Sequence, residues 1–147
     1  MAANLLDLFR LVVPEAVADE LSAGDPAFPL REYPYATLFR HLLPRMTFVP
    51  AAEGPTPLPI FGAGEAAAVV LARARAVVLI VNERPAAAYA ANLGVAVVTI
   101  PTVVVRLHLG GVVSRRAAHR KLDLLGSVTT PGYIDEARRL IDAAGRP

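Results

Sequence analysis

The chain has 147 residues, 54% of them hydrophobic and 19% charged, and it contains no cysteine. That apolar content excludes global disorder, and the length fits one domain able to bury a core. Without cysteine there are no disulfides, thiolate metal sites or Cys nucleophiles, and a formal net charge of +2 is too small to argue nucleic-acid binding unaided.

The mean hydropathy of +0.46 makes a membrane segment worth testing. The longest uncharged stretch, residues 85–105, contains Asn92, Gly94 and Pro101 and changes character along its length. It reads as several separate elements, not one span of roughly 20 apolar residues. Asp7 and Arg10 interrupt the apolar pattern of the first ten residues, which do not read as a signal peptide. The expectation is a cytoplasmic protein with no membrane partner.

In chain order, residues 4–10 form an amphipathic turn or two, with Leu5, Leu6, Leu8 and Phe9 apolar. An apolar run over 11–13 is closed by Pro14, and a helix follows over 15–21 with Ala16, Val17 and Leu21 on its core face. Residues 25–60 are broken repeatedly by proline and read as ordered loop, with a short helix over 37–43 and a short strand over 46–49. After Gly62-Ala63-Gly64 the pattern becomes regular. A helix over 65–75 leads to a buried strand over 76–81, a helix over 84–93 capped by Gly94, and a second buried strand over 95–99. A helix over 102–109 ends at Gly110-Gly111. Ser114 caps a helix over 115–125, and a last helix over 131–144 presents Ile134, Ala137, Leu140 and Ile141 on one face. Helices alternating with buried strands predict a single α/β domain, with a mostly parallel sheet and helices on both faces. Ligands in such folds gather beyond the carboxyl ends of the strands, here near Pro14, Asn82-Glu83 and Thr99-Ile100.

Three acids stand out by position. Glu20 lies on the helix after the first strand, Glu65 opens an apolar helix directly after Gly-Ala-Gly, and Glu83 follows a buried strand. Oxygen ligands of this kind suit Mg²⁺ or Mn²⁺, and a carboxylate cluster holding such ions can activate water against a phosphodiester. Each acid also has a plain structural reading, as a helix-dipole partner, a solvated residue or a turn residue. Gly62-Ala63-Gly64 lacks a following Lys-Ser/Thr and is no Walker loop. The histidines 41, 108 and 119 show no ligand spacing, and His108, between two leucines, reads as structural. Arg115, Arg116, His119, Arg120 and Lys121 form one dense basic run, in which 116, 119 and 120 share a helix face able to contact phosphates. The plainer reading is a solvated face with Leu122, Leu124 and Leu125 buried.

Several segments resemble PIN-like domains. Residues 8–21, Leu-Phe-Arg-Leu-Val-Val-Pro-Glu-Ala-Val-Ala-Asp-Glu-Leu, resemble the family's "LF…V-x-P-x-x-V-x-x-E-L" segment. Residues 62–72 resemble "G-x-G-E-A-x-A-I-x-L-A", residues 79–87 resemble "L-I-D-[DE]-R-x-A-R", and residues 95–113 resemble "V-x-V-x-G-T-x-G-V-L-x-x-A-x-x-x-G-L-I". The tail over 114–144 is similar to the last two helices of a subfamily of uncharacterised prokaryotic PIN-like proteins. The resemblance covers nearly the whole chain except the Pro-rich segment, and it rests on the order and spacing of motifs that are individually weak. It implies a three-layer α/β/α domain and Mg²⁺- or Mn²⁺-dependent ribonuclease activity, as in the VapC-type toxins. By position it implies Glu20, Glu65 and Glu83 as catalytic acids and Glu20, Glu65, Asn82 and Glu83 as metal ligands. Arg115, Arg116, Arg120 and Lys121 are the expected RNA contacts.

Two departures from the family pattern bear on activity. A first strand carrying a metal-binding Asp, shaped like "V-x-D-[TS]-[SN]", has no counterpart here, and Asp7 on a helical stretch is a poor substitute. Asn82 stands where Asp is common, which removes a charge from the site. Three expectations follow: a metal-dependent ribonuclease, a catalytically degenerate module that binds RNA or a protein, and an assembly with an antitoxin-like partner or a second copy.

Overall fold

The computed structural model describes Leu6 and residues 8–23, 42–50, 61–126 and 129–144. Asn4, Leu5 and Asp7 of the expected helical stretch over 4–10, most of the expected helix over 37–43 and most of the Pro-rich segment lie outside these residues.

Strand β1 (Val12–Pro14) pairs in parallel with β2 (Thr47–Val49), which follows a 3₁₀ turn over Leu43–Arg45. Pro14 closes β1, an edge strand of a two-stranded sheet, where its missing N–H is tolerated. The chain turns directly into α1 (Glu15–Ala23), whose first-turn Glu15 suits the positive end of the helix dipole. Helix α2 (Ala63–Arg75) then leads to β3 (Leu79–Ile80), α3 (Arg84–Asn92) and β4 (Val97–Val98). β3 and β4 are parallel, with Leu79 opposite Val97 and Ile80 opposite Val98, so a helix joins two parallel strands as the apolar runs predict. Helices α4 (Ile100–Leu109), α5 (Arg115–Leu125) and α6 (Pro131–Ala144) complete the described chain. The molecule is thus a mixed α/β fold with short parallel sheets.

The expected strand over 76–81 is shorter than the apolar run that predicts it. Ala76, at φ 50°, closes α2, and Val77 and Val78 are 42% and 55% exposed. Ala76 N–H donates to Arg73 O and Val77 N–H to Ala72 O, the paired bonds of a left-handed helix terminator. The same pair of bonds ends α3 at Gly94 (φ 78°) and α4 at Gly111 (φ 73°). Glycine suits that conformation, and Ala76 adopts it with a Cβ. Helix α4 begins two residues earlier than its spacing predicts. Thr99 Oγ1 accepts from the Thr102 N–H, and Pro101 fits the first turn, where its missing donor is harmless.

Two apolar clusters flank β3. Leu79 packs with Val69, Ala72, Ala90 and Val95, between α2 and α3. Its neighbour Ile80, together with Leu11 and Val98, packs against the cluster built by α4, α5 and α6. That alternation is the period-two signature of a strand with both faces covered. Val103, Val104, Val105 and Leu107 of α4 are all buried, so this helix is enclosed by its neighbours. On α6, Ile134, Ala137 and Ile141 are buried, but Leu140 is 46% exposed, beyond the edge of the stripe. Leu124 on α5 is 80% exposed, so it does not join Leu122 in the core as the basic-run reading supposed.

Candidate functional site

The amino end of α2 is a place where sequence and packing meet. Its N-cap is Gly62, which has no side chain to satisfy the first backbone donors. Glu20, on the neighbouring α1, supplies the missing acceptor: the Gly64 N–H donates to Glu20 Oε1 at 2.8 Å. A carboxylate there also faces the positive end of the α2 dipole. The glycines make room for it. A Cβ on Gly64 would overlap Glu20 Oε2 and stand 3.1 Å from Val17 Cγ2, and one on Gly62 would lie 3.5 Å from Glu20 Oε1. Glu65, half-buried, follows Gly64 directly. Glu20 and Glu65 therefore lie at adjoining points of the fold although 45 residues separate them in the chain.

Asn82 and Glu83 lie just beyond the carboxyl end of β3, as expected. Half-buried Asn82 donates from Nδ2 to Thr129 Oγ1 at 3.1 Å. Thr129 is a buried polar residue, so this bond ties the end of β3 to the segment that enters α6. Glu83 is exposed and occupies the N-cap position of α3, and its carboxylate makes no capping bond. Among the described residues, no three His, Asp or Glu side chains form one group that could hold a metal ion. The structure thus joins Glu20 to the start of the Glu65 helix, and it does not gather Glu83 with them.

The basic run divides in two. Arg115 is bound to α6: its Nη2 and Nε donate to Asp142 Oδ1 at 2.8 and 3.1 Å. His119 Nε2 lies 2.9 Å from the same oxygen, so His119 faces α6 and does not share the outward face with Arg116 and Arg120. Asp123, one turn on, receives Arg138 Nη2 at 2.6 Å. Arg116 and Arg120 are exposed and Lys121 is half-buried. The Arg115 guanidinium first, and then His119, hold the Asp142 carboxyl below its ordinary value of 3.8. His108 is structural, as its leucine neighbours suggest, with Nδ1 3.1 Å from the Val113 carbonyl.

An open cleft lined by Arg73, Val77, Val78, Leu93 and Val95 lies at the amino ends of β3 and β4. It is at the opposite end of those strands from Asn82 and Glu83. Among the described residues, no helix is long and apolar enough to cross a membrane. No protein-family model matches the chain, and no curated protein or solved structure matches it.

Sequence reasoning singles out the Gly62-Ala63-Gly64 helix entry but not its acceptor, and it does not single out Thr129 or Asp142. A helix opened by Gly-Ala-Gly cannot cap itself with a side chain, so an acceptor has to come from elsewhere. Thr129 and Asp142 are ordinary polar residues whose roles depend on packing across more than 20 positions.

Proposed function

We propose that this chain is a three-layer PIN-like domain of the metal-dependent ribonuclease class, with Glu20 and Glu65 at the centre of its acidic site. The observation that carries the reading is the Glu20 Oε1 to Gly64 N–H bond. It joins two motifs, far apart in sequence, whose acids the PIN-like resemblance implies as ligands. The donor set supports a hard divalent cation such as Mg²⁺ or Mn²⁺, because it offers carboxylate and amide oxygens and no sulfur or imidazole. Glu20 and Glu65 would hold the ion, and when bound it supplies an activated water for attack on an RNA phosphodiester. The chain's own residues set the stage for this. Gly64 fixes one Glu20 oxygen, leaving the other for a further partner. Glu65, on the first turn of the same helix, adds a second charge. The reading is tested by Mn²⁺-dependent cleavage of single-stranded RNA by the wild type and by Glu65→Gln.

A specific observation favours a second reading, a catalytically degenerate PIN-like module that binds RNA or a protein. At the position where the family commonly has an acid, Asn82 uses its amide to hold Thr129. An amide donor there serves the fold, and a carboxylate could not donate that bond. Clear Mn²⁺ binding by the wild type that is lost in Glu65→Gln counts against this second reading. Association with an antitoxin-like partner or a second copy is supported by exposed Val77 and Val78. A clean monomer by light scattering at high concentration would rule out the second copy.

A further inference from the structure

Helix α5 departs from two electrostatic rules of surface helices. Its first turn holds Arg115 and Arg116 and no acid, at the end where the helix dipole is positive. Arg116 and Arg120, four residues apart, place like charges side by side. The two arginines of the first turn meet different fates. Positions 115, 119 and 123 form the stripe turned to α6, where Asp142 and Arg138 neutralise them. Positions 116, 120 and 124 lie about 100° further round. They project away from the fully buried Ala118 and Leu122, and among the described residues no acid pairs with Arg116 or Arg120. Leu124, 80% exposed, continues the same outward stripe. Local conflicts of this kind concentrate at functional or strained sites.

We propose that the outward face of α5, formed by Arg116 and Arg120 with Lys121 at its edge, docks the sugar–phosphate backbone of single-stranded RNA. The choice of RNA rests on the ribonuclease-class reading above, and the cationic face itself does not depend on the metal site. Phosphates relieve both conflicts at once, by neutralising the two arginines and by placing anions near the positive end of the helix. Leu124 offers a sugar or base an apolar contact. A lipid surface fits less well. A basic amphipathic helix binds a bilayer through its apolar face, and here that face, Ala118 and Leu122, is buried in the core.

The test is fluorescence anisotropy of a labelled 20-nucleotide single-stranded RNA in EDTA, over about 50 to 200 mM salt. It compares the wild type with Arg116→Glu/Arg120→Glu and with Arg73→Glu/Arg75→Glu, which makes the same charge change on exposed residues of α2. The α5 variant is expected to weaken binding more than tenfold and to flatten the salt dependence of log K by about 1.4, the share of two single-strand phosphate contacts. Its melting temperature should stay close to that of the wild type, because an acid at position 116 suits the positive end of the helix while the like-charge pair persists with its sign reversed. The α2 variant should stay within about threefold of the wild type, with its salt dependence unchanged. The proposal is overturned if the wild type does not bind, if the α5 variant binds like the wild type, or if both variants lose binding equally. Binding to anionic vesicles in place of RNA also overturns it. Because the assay excludes metal, failed cleavage with retained α5-dependent binding removes the ribonuclease reading and leaves this surface standing.

Discussion

Glu20 Oε1 accepts a hydrogen bond from the Gly64 N–H at 2.8 Å, so a carboxylate from one helix caps the next. Glu20 is exposed, so solvent screens this charge-assisted bond to about 1 kcal/mol. Gly64→Ala puts a Cβ onto Glu20 Oε2 and displaces the cap, so denaturant unfolding should show a loss of about 1–2 kcal/mol. In a Glu20→Ala background the clashing oxygen is gone and alanine's better helix propensity remains. There, Val17 Cγ2 still crowds the new Cβ, so Gly64→Ala should cost clearly less than in the wild type, under about 1 kcal/mol. Equal losses in both backgrounds would mean that Glu20 does not cap α2.

Ala76 ends α2 in a left-handed conformation that glycine adopts without strain. Ala76→Gly is therefore expected to raise stability by about 0.5–1 kcal/mol, seen as a higher denaturant midpoint with unchanged slope. The same change at exposed Ala74, inside α2, should lower stability by a similar amount. A loss at Ala76 comparable to that at Ala74 would contradict the terminator geometry.

Asp142 joins α5 to α6 through Arg115 and His119, which lower its pKa below 3.8. A depressed carboxylate contributes stability above its unfolded pKa and loses it as pH falls through the folded value. Wild type and Asp142→Asn should accordingly differ near neutral pH and converge as pH falls from about 5 to 2. The pair is exposed, with Asp142 48% and Arg115 54% accessible, so salt should shrink the neutral-pH difference. A difference that persists unchanged at low pH would place the effect elsewhere.

Asn82→Asp converts a half-buried amide into a carboxylate beside Thr129. In EDTA the new charge should cost about 1–3 kcal/mol of stability. If residues 20, 65 and 82 share a cation, Mn²⁺ should restore much of that loss and bind about tenfold more tightly than to the wild type. Thermal melts with and without Mn²⁺ read this directly. An unfolding temperature indifferent to Mn²⁺ would separate Asn82 from any metal site.

Much of the helical architecture was legible from apolar spacing and punctuation. The helices over 115–125 and 131–144 form with the bounds their patterns predict, because Ser114 caps the first and Pro131 opens the second. Gly94 and Gly111 end helices as glycines should. The strands were legible as apolar runs but not in length. Nothing in the residues around Val77 and Val78 announces that an alanine will terminate the preceding helix in a left-handed turn. At the candidate site, the acids were legible by motif and their partners were not. Thr129 and Asp142 act through contacts that only packing creates, and Gly-Ala-Gly shows that α2 needs an outside acceptor without showing that Glu20 supplies it. The basic run reads as one face in sequence, yet Asp142, on another helix, divides it.

We propose that Glu20 and Glu65 hold a divalent cation at the centre of an RNA-cleaving site. The most direct test is the cleavage of single-stranded RNA in Mn²⁺ by the wild type and by Glu65→Gln, which leaves the Glu20 to Gly64 bond in place. Cleavage by the wild type that stops on chelation and falls at least tenfold in the variant is the expected result. Cleavage indifferent to both chelator and substitution, or no cleavage by the wild type, would contradict it.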